Sequence, residues 1–284
     1  MNDSLGDRMK QNYERPARHY LTHRTPVVVR VDGRAFHTLT KGLRKPFDGN
    51  FIEAMILAAC HVFAEVQGCK IAYVQSDEAS FVLTDYDGLL TEAWLGNNKS
   101  KIESITAALM SVAFGRALRL MSLKEELDDY VVFDARAFNV PEAEVANYLL
   151  WRAKDWHRNS VQMLAQHLFS HESLQGMSTS QCLYRLHAAG HSWDLLGEQV
   201  KNGTFLIRHK CGIAERTDVR DRYLEIAQLW DAVNPTTNTT TTLATSSGPP
   251  NPVKRNTASR SGAPGSNNGP IVDGTPQAST VTKP

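Results

Sequence analysis

An α+β fold is predicted by three observations: short β-branched runs that read as strands, longer segments with apolar residues at helical spacing, and an order of the two too irregular for a doubly wound sheet. Pro26-Val27-Val28-Val29-Arg30-Val31 is the first strand, buried and stopped by the turn pair Asp32-Gly33. A helix follows from Asp48, because Phe51, Met55, Ala58, Ala59, Val62, Phe63 and Val66 recur on one face and Gly68 supplies a stop. Cys69 to Gln75 and Ala79 to Thr84 read as the strands of a hairpin joined by Ser76-Asp77-Glu78, which puts two acids at its tip. Lys99 to Met121 predicts a long helix, Val131-Val132-Phe133 a strand, Glu142 to Phe169 another long helix and Thr204-Phe205-Leu206-Ile207 a closing strand. The chain carries no internal repeat.

Composition divides the chain near Val233. From Asn234 to Pro284 there is no Phe, Trp, Tyr, Met, Cys, His or Glu, and Thr, Ser, Asn, Pro and Gly dominate. Such a segment buries too little apolar surface to offset its ordering entropy, so residues 1–233 are expected to fold and 234–284 to form a disordered tail. Lys254, Arg255 and Arg260 give that tail a weak attraction for RNA, although a solvated linker has the same composition.

The 284 residues carry a formal net charge of +1, which argues against a general nucleic-acid coating protein. The charge is unevenly spread: through Lys45 ten basic residues face four acids, so a polyanion finds its footing near the N-terminus. No apolar run reaches the roughly 20 residues that span a bilayer, and the opening Met1-Asn2-Asp3-Ser4-Leu5-Gly6-Asp7 has no secretory pattern. A cytoplasmic location without a membrane is expected. Cys60, Cys69, Cys182 and Cys211 form no Cys-x-x-Cys pair and are expected to be reduced.

The residues best placed for chemistry are Asp32, at the end of a buried strand, and Asp77, at a hairpin tip. Brought side by side in an antiparallel sheet, two such carboxylates make a site for hard divalent cations, since Mg²⁺ needs only one or two carboxylates when phosphates and water complete its shell. Gly33 beside Asp32 lets a phosphate or metal approach the backbone closely. Asp is also common at turns and strand ends for purely structural reasons.

Three segments carry a resemblance. Arg30-Val31-Asp32-Gly33-Arg34-Ala35-Phe36-His37, then Lys45-Pro46-Phe47-Asp48, then Ala72-Tyr73-Val74-Gln75-Ser76-Asp77-Glu78 resemble in order and spacing the motif series of the tRNA(His) guanylyltransferase family. Trp151-Arg152-Ala153-Lys154-Asp155-Trp156-His157-Arg158-Asn159-Ser160 and Lys201-Asn202-Gly203-Thr204-Phe205 extend the similarity, which covers Leu5 to His209. Leu5-Gly6-Asp7-Arg8-Met9-Lys10, Leu83-Thr84-Asp85-Tyr86-Asp87 and Arg158-Asn159-Ser160 look most like the bacterial and phage like-protein branch, which is associated with repair of truncated tRNA 5′ ends.

The resemblance implies a palm like that of 5′-to-3′ polymerases and nucleotide cyclases, with an antiparallel sheet, flanking helices and a helical C-terminal part within residues 1–233. It implies that Asp32 and Asp77, with the Gly33 carbonyl, bind two Mg²⁺ ions and that Glu78 supports this catalytic cluster. Backbone groups of Arg34, Ala35 and Phe36, together with Ser76 and Lys101, would hold the incoming triphosphate, and His37, Lys45 and Asp48 the activating ATP or GTP. The implied reaction activates a tRNA 5′-monophosphate and then joins it to the 3′-hydroxyl of a nucleoside triphosphate. A homo-oligomer, a tetramer, is expected by family similarity. Plain structural readings stand beside these: Phe36 as core, His37 as a turn histidine, Lys45 as a solvated charge.

His157, Arg158 and Asn159 are the candidate RNA contacts, on a predicted helix that also carries Trp151, Trp156 and Met163. The guanosine-adding branch has His-x-Asn-Asn where this chain has His157-Arg158-Asn159-Ser160, and Gly176-Met177-Ser178-Thr179-Ser180-Gln181 lacks the basic residue of that branch. The expected function is therefore template-dependent 3′-to-5′ nucleotide addition in tRNA 5′-end repair. Non-templated guanosine addition to tRNA(His), a palm-type nucleotide cyclase or synthase, and an inactive RNA-binding module are the alternatives.

Overall fold

The computed structural model describes residues 4–121, 123, 131–209 and 212–235. Six strands, β1 (Val27–Gly33), β2 (Cys69–Gln75), β3 (Glu78–Leu83), β4 (Phe133–Asn139), β5 (Thr204–His209) and β6 (Gly212–Arg216), form one sheet in the order β4-β1-β3-β2-β5-β6. Every neighbouring pair is antiparallel. The helices are α1 (Ser4–Met9), α2 (Phe36–Leu39), α3 (Gly49–Glu65), α4 (Lys99–Leu120), α5 (Val145–Leu168), α6 (His171–Leu174), α7 (Thr179–Ala188), α8 (Glu198–Asn202) and α9 (Tyr223–Val233).

β1 is buried on both faces. Val27, Val29 and Val31 join one core with Met55, Val62 and Phe63 of α3 and Met110 and Phe114 of α4. Val28 joins another with Val145 and Leu149 of α5 and Ile226 and Trp230 of α9. This two-sided burial explains an apolar run without alternation. A third cluster, with Val161 and Leu164 of α5, Cys182 and Leu186 of α7, and Trp193, extends the α5 side of the molecule.

Helix boundaries follow capping chemistry. The Asp48 side chain accepts from the Phe51 N–H at 3.0 Å and starts α3. Asn98 does the same for α4 through the Lys101 N–H at 3.1 Å. Between them, the rings of Phe36, Phe51, Phe114 and Phe133 form an aromatic cluster with centroid separations of 5.0 to 6.0 Å.

The antiparallel α+β architecture matches the expectation, with local corrections. The strand expected at Val131–Phe133 begins at Phe133 and runs to Asn139. It is an edge strand whose inward residues Phe133 and Ala137 alternate with exposed Asp134, Arg136 and Phe138, a half-polar pattern that hides a strand from a search for apolar runs. Glu78 is the first residue of β3 and not part of the tip, so the hairpin turns on Ser76 and Asp77 alone. β6, α7 and α9 had no counterpart in the sequence reading. Asn234 is buried, and its side-chain amide donates to Glu142 Oε1 at 2.9 Å, so packing continues past Val233; the tail expectation for 236–284 lies outside the described residues. Cys60, Cys69 and Cys182 are free, and Cys211 lies outside the described residues. Among the described residues no helix is long and apolar enough to cross a membrane.

Gly33 has a structural reason of its own. A Cβ there would lie 2.3 to 2.7 Å from three atoms of the buried Phe36 ring, so the glycine makes room for the aromatic cluster. Gly33→Ala is expected to lower the unfolding free energy by about 1–3 kcal/mol through overpacking. Gly115→Ala, in the middle of α4 with open space around it, should raise it by about 0.5–1 kcal/mol. Urea titrations of the two variants check both signs.

Candidate active site

The last residues of β1 and the β2–β3 turn meet at one end of the sheet. Ser76 adopts a positive φ of 47° to make the tight turn. The Gly33 N–H donates to the Asp77 carbonyl at 3.0 Å, which fixes the turn against the strand end. Asp32 pairs with Glu78 on one side and with Asp134 on the other, so three acids share one level of three adjacent strands.

Their chemistry differs. Asp77 is raised above the ordinary carboxylate range, first by burial and then by the neighbouring Asp32 charge, while hydrogen bonds from Ser76 and its own backbone act the other way. Glu78 is spoken for: Arg152 of α5 donates from Nε to Oε1 at 2.7 Å and from a terminal nitrogen to Oε2 at 2.8 Å. Burial works against the Arg152 charge, but Glu78 and then Asp155 outweigh it and hold the guanidinium pKa above its usual value. Glu78 is thus a partner of Arg152, and any support it gives the acid cluster is through position. Ser80 and Tyr148, with hydroxyl oxygens 2.8 Å apart, fasten α5 to β3 one level further along the sheet. Among the described residues no group of three or more His, Cys, Asp or Glu is arranged to hold a metal ion. The site offers the two carboxylates Asp32 and Asp77.

Two cavities of about 350 Å³ each flank this pair. The first is basic and aromatic, lined by His37, Arg44, Lys45, Asp48, Phe51, Ser76 and Asp77. Lys45 Nζ donates to the Thr40 carbonyl at 2.8 Å, and the His37 Nε2 lies 3.1 Å from Thr38 Oγ1. Both oxygens of Asp48 accept backbone N–H groups, from Phe51 at 3.0 Å and Arg44 at 3.2 Å, so its carboxylate shapes the cavity rim. The second cavity contains Asp32 and Asp77 at one end and the amides of Gln75, Asn159, Gln162 and Gln166 along its walls. Ser76, Asp77, Trp156 and Met163 line both.

The structure gathers Asp32, Asp77, Ser76, Phe36, His37, Lys45, Asp48 and Asn159 around these cavities. Phe36 contributes a buried ring, so its side chain is core as well as wall. Arg34 and Ala35 line neither cavity: the Arg34 N–H donates to the Val132 carbonyl at 2.9 Å, and Ala35, at φ 58°, turns the chain into α2. Lys101 is elsewhere, which corrects its placement on the triphosphate. Glu103 of α4 accepts from the Ala137 N–H and Ser111 from the Phe133 N–H, so the start of α4 lies at the far end of β1 from Asp32, about 17 Å away along the strand. His157 and Arg158 line neither cavity. The His157 ring packs 4.7 Å from that of Trp193 with its Nδ1 3.7 Å from Asp221, and Arg158 pairs with Asp155.

Arg152, Asp155, Gln162, Gln166 and Arg44 were missed as site residues. Four of them share a signal: positions 152, 155, 156, 159, 162, 163 and 166 fall on one face of a helix, and all line the second cavity.

An antiparallel sheet with an acid pair at one end of its inner strands and a basic pocket beside it is a palm-like frame of the kind that handles nucleotide phosphates. Comparison with known proteins is specific. The tRNAHis guanylyltransferase family model matches residues 6–141. A bacterial tRNA(His) guanylyltransferase-like protein in complex with ATP superimposes with a TM-score of 0.76 at 35% identity, over 81% of this chain and 99% of that one. One in complex with GTP superimposes with a TM-score of 0.68 at 33% identity, over the same 81% and 99%. A probable tRNA(His) guanylyltransferase of Dictyostelium discoideum is 33% identical over 138 residues, 48% of this chain and 52% of the relative, so the match spans about half of that protein. The chain belongs to the tRNA(His) guanylyltransferase family.

Two measurements test the electrostatics. Arg152→Leu leaves the buried Glu78 carboxylate only the weaker contacts of Arg30, 3.9 Å away, and Gln75, and should cost up to about 3–5 kcal/mol in urea unfolding; adding Glu78→Gln should restore part of it. Because Asp77 has a raised folded-state pKa, the wild-type protein loses stability as pH rises from the ordinary carboxylate value through the folded-state one. Asp77→Asn should therefore melt higher than wild type at pH 7 in chelator, by about 2–4 °C for each kcal/mol relieved. The gap should close in acid as the wild-type carboxyl protonates.

Proposed function

We propose that this protein is a template-dependent 3′-to-5′ nucleotidyltransferase that activates and extends the 5′ end of tRNA. The observation that carries the reading is the meeting of Asp32 and Asp77 between a basic cavity and an amide-lined one. Phosphoryl-type transfer relies on positioning and charge neutralisation more than on covalent help, and this site offers both on the two sides of one acid pair. Arg44, Lys45 and His37 suit the phosphates of the activating nucleotide, and the Phe51 and Ile52 wall suits its base. The ATP and GTP held by the two bacterial relatives support either as that nucleotide. Asn159, Gln162 and Gln166 suit an RNA end, which presents both donors and acceptors.

The donor set fits Mg²⁺. Asp32 and Asp77 are hard oxygen donors, and Asp77, half-buried beside the like charge of Asp32, gains from a nearby cation. These two residues would hold two Mg²⁺ ions, which when bound neutralise phosphate charge and lower the pKa of an attacking hydroxyl. The rest falls to the chain: the Gly33 N–H fixes Asp77, the Arg152–Glu78 pair fixes the turn, and Trp156 and Met163 between the cavities exclude water. By resemblance, the reading extends to a cytoplasmic homo-oligomer, a tetramer, with residues 234–284 as a tail outside the catalytic region.

The test offers tRNA lacking its first 5′ nucleotide, Mg²⁺ and all four triphosphates, and resolves the added nucleotide. Changing the opposing template base should change which nucleotide is added, and Asp32→Asn should reduce addition to background. Lys45→Ala should lose more activity on 5′-monophosphorylated than on 5′-triphosphorylated RNA, where activation is unnecessary. Guanosine added whatever base lies opposite would replace this reading by guanosine addition to tRNA(His), the activity named for the curated relative.

A further inference from the structure

Trp151 is 53% exposed, whereas Trp156, Trp193 and Trp230 are buried. Its exposure is unusual because its neighbours are locked. The Arg152 guanidinium lies 4.5 Å from the centroid of its ring, and that guanidinium is held by both oxygens of Glu78. The Tyr148 ring meets the indole nearly edge-on, with centroids 5.9 Å apart and an interplanar angle of 62°. Tyr148 is itself pinned by Ser80 and by the Phe138 ring 5.8 Å away. With a cation over one face and a phenol at its edge, the indole has its open area on the opposite face. Its rotamer freedom is already spent, so a planar ligand stacking there would order little more of the protein.

The location narrows the ligand. Glu78, which holds Arg152, lies directly opposite Asp32 across β3 and β1. The exposed side chains nearby on α5 and β4 include Lys154, Asp134 and Arg136. Charges of this kind are depleted from the core of a protein–protein interface, whereas the two cations, Lys154 and Arg136, suit the phosphates that accompany a stacked base and Asp134 does not. We propose that Trp151 is a preformed stacking platform for a nucleobase next to the Asp32–Asp77 pair. The inference rests on the reading that a nucleotide or RNA end occupies that pair. The base belongs either to the RNA end or to a free nucleotide, and stacking is the chemistry common to both.

The test measures equilibrium binding to the full chain in Mg²⁺ without any addition reaction. One arm uses tRNA lacking its first nucleotide, intact or with an abasic residue at the new 5′ end; the other uses ATP against ribose 5-triphosphate. Trp151→Ala should weaken binding of one base-bearing ligand by about 5- to 20-fold, within the range for a single base on an aromatic ring. Trp151→Phe should recover most of the loss and Trp151→Leu should not, and the base-less ligand should bind wild type and variants alike. The arm that responds identifies the source of the base. Unchanged affinity in both arms, or an equal loss on base-less ligands, overturns the platform. So does a fall in solution mass by light scattering that accounts for the loss, since it would assign Trp151 to contact with a second copy. Thermal melts check that the variants fold. Wild-type protein that binds these ligands but adds no nucleotide would sink the proposed function and leave the platform standing.

Discussion

The contact on which the site depends is the buried ion pair between Glu78 and Arg152. Glu78 opens β3 immediately after the turn residue Asp77, and Arg152 projects from the first half of α5. Two hydrogen bonds from one guanidinium to the two oxygens of one carboxylate set both distance and rotation, a constraint that a single Lys contact would not impose. Taking both charges out of water largely cancels their attraction, so the pair contributes less to stability than to register. It decides which face of α5 looks toward Asp32, and so which side chains line the second cavity.

Asp32 and Asp77 show the opposite electrostatic choice. The chain brings two half-buried carboxylates together, and among the described residues neither is paired with an arginine. Arg152 would be near enough to serve this end of the sheet, yet it is committed to Glu78 and Asp155. The result is a local excess of negative charge held by backbone, through the Gly33 N–H on the Asp77 carbonyl and the antiparallel register of β1 with β3. Backbone restraint suits such a site because it persists whichever charge state the carboxylates adopt.

The two cavities differ because different elements wall them. The segment between β1 and α3 supplies cations and the rings of Phe36 and Phe47 to one, and a single face of α5 supplies amides to the other. Trp156 and Met163 belong to both, which makes α5 the common wall. The same helix presents His157 on another face, where it packs against Trp193 and away from both cavities.

Much of this was legible in the sequence. The Val27–Val31 run, the Asp48 cap and the apolar stripe from Phe51 to Val66 specify their elements locally, because strand burial, capping and amphipathic spacing act within a few residues. The pairing of Asp32 with Asp77 was legible too, since a strand end and a tight hairpin can carry only a few geometries. Glu78 and Lys101 were not. The α4 helix was read well and Glu78 fell one residue outside its strand, but the partner of Glu78 is 74 positions away, and Lys101 is carried to the far end of the sheet by the direction in which α4 packs on β4. The edge strand β4, half polar because one face meets water, gave too weak an apolar signal to be placed correctly. Local chemistry specified the strongly patterned elements, β1, β2, β3, α3, α4 and α5, and put one acid at a strand end and another at a hairpin turn. Only long-range packing, which aligns side chains distant in the chain, decided which charges are neutralised and which remain free to bind.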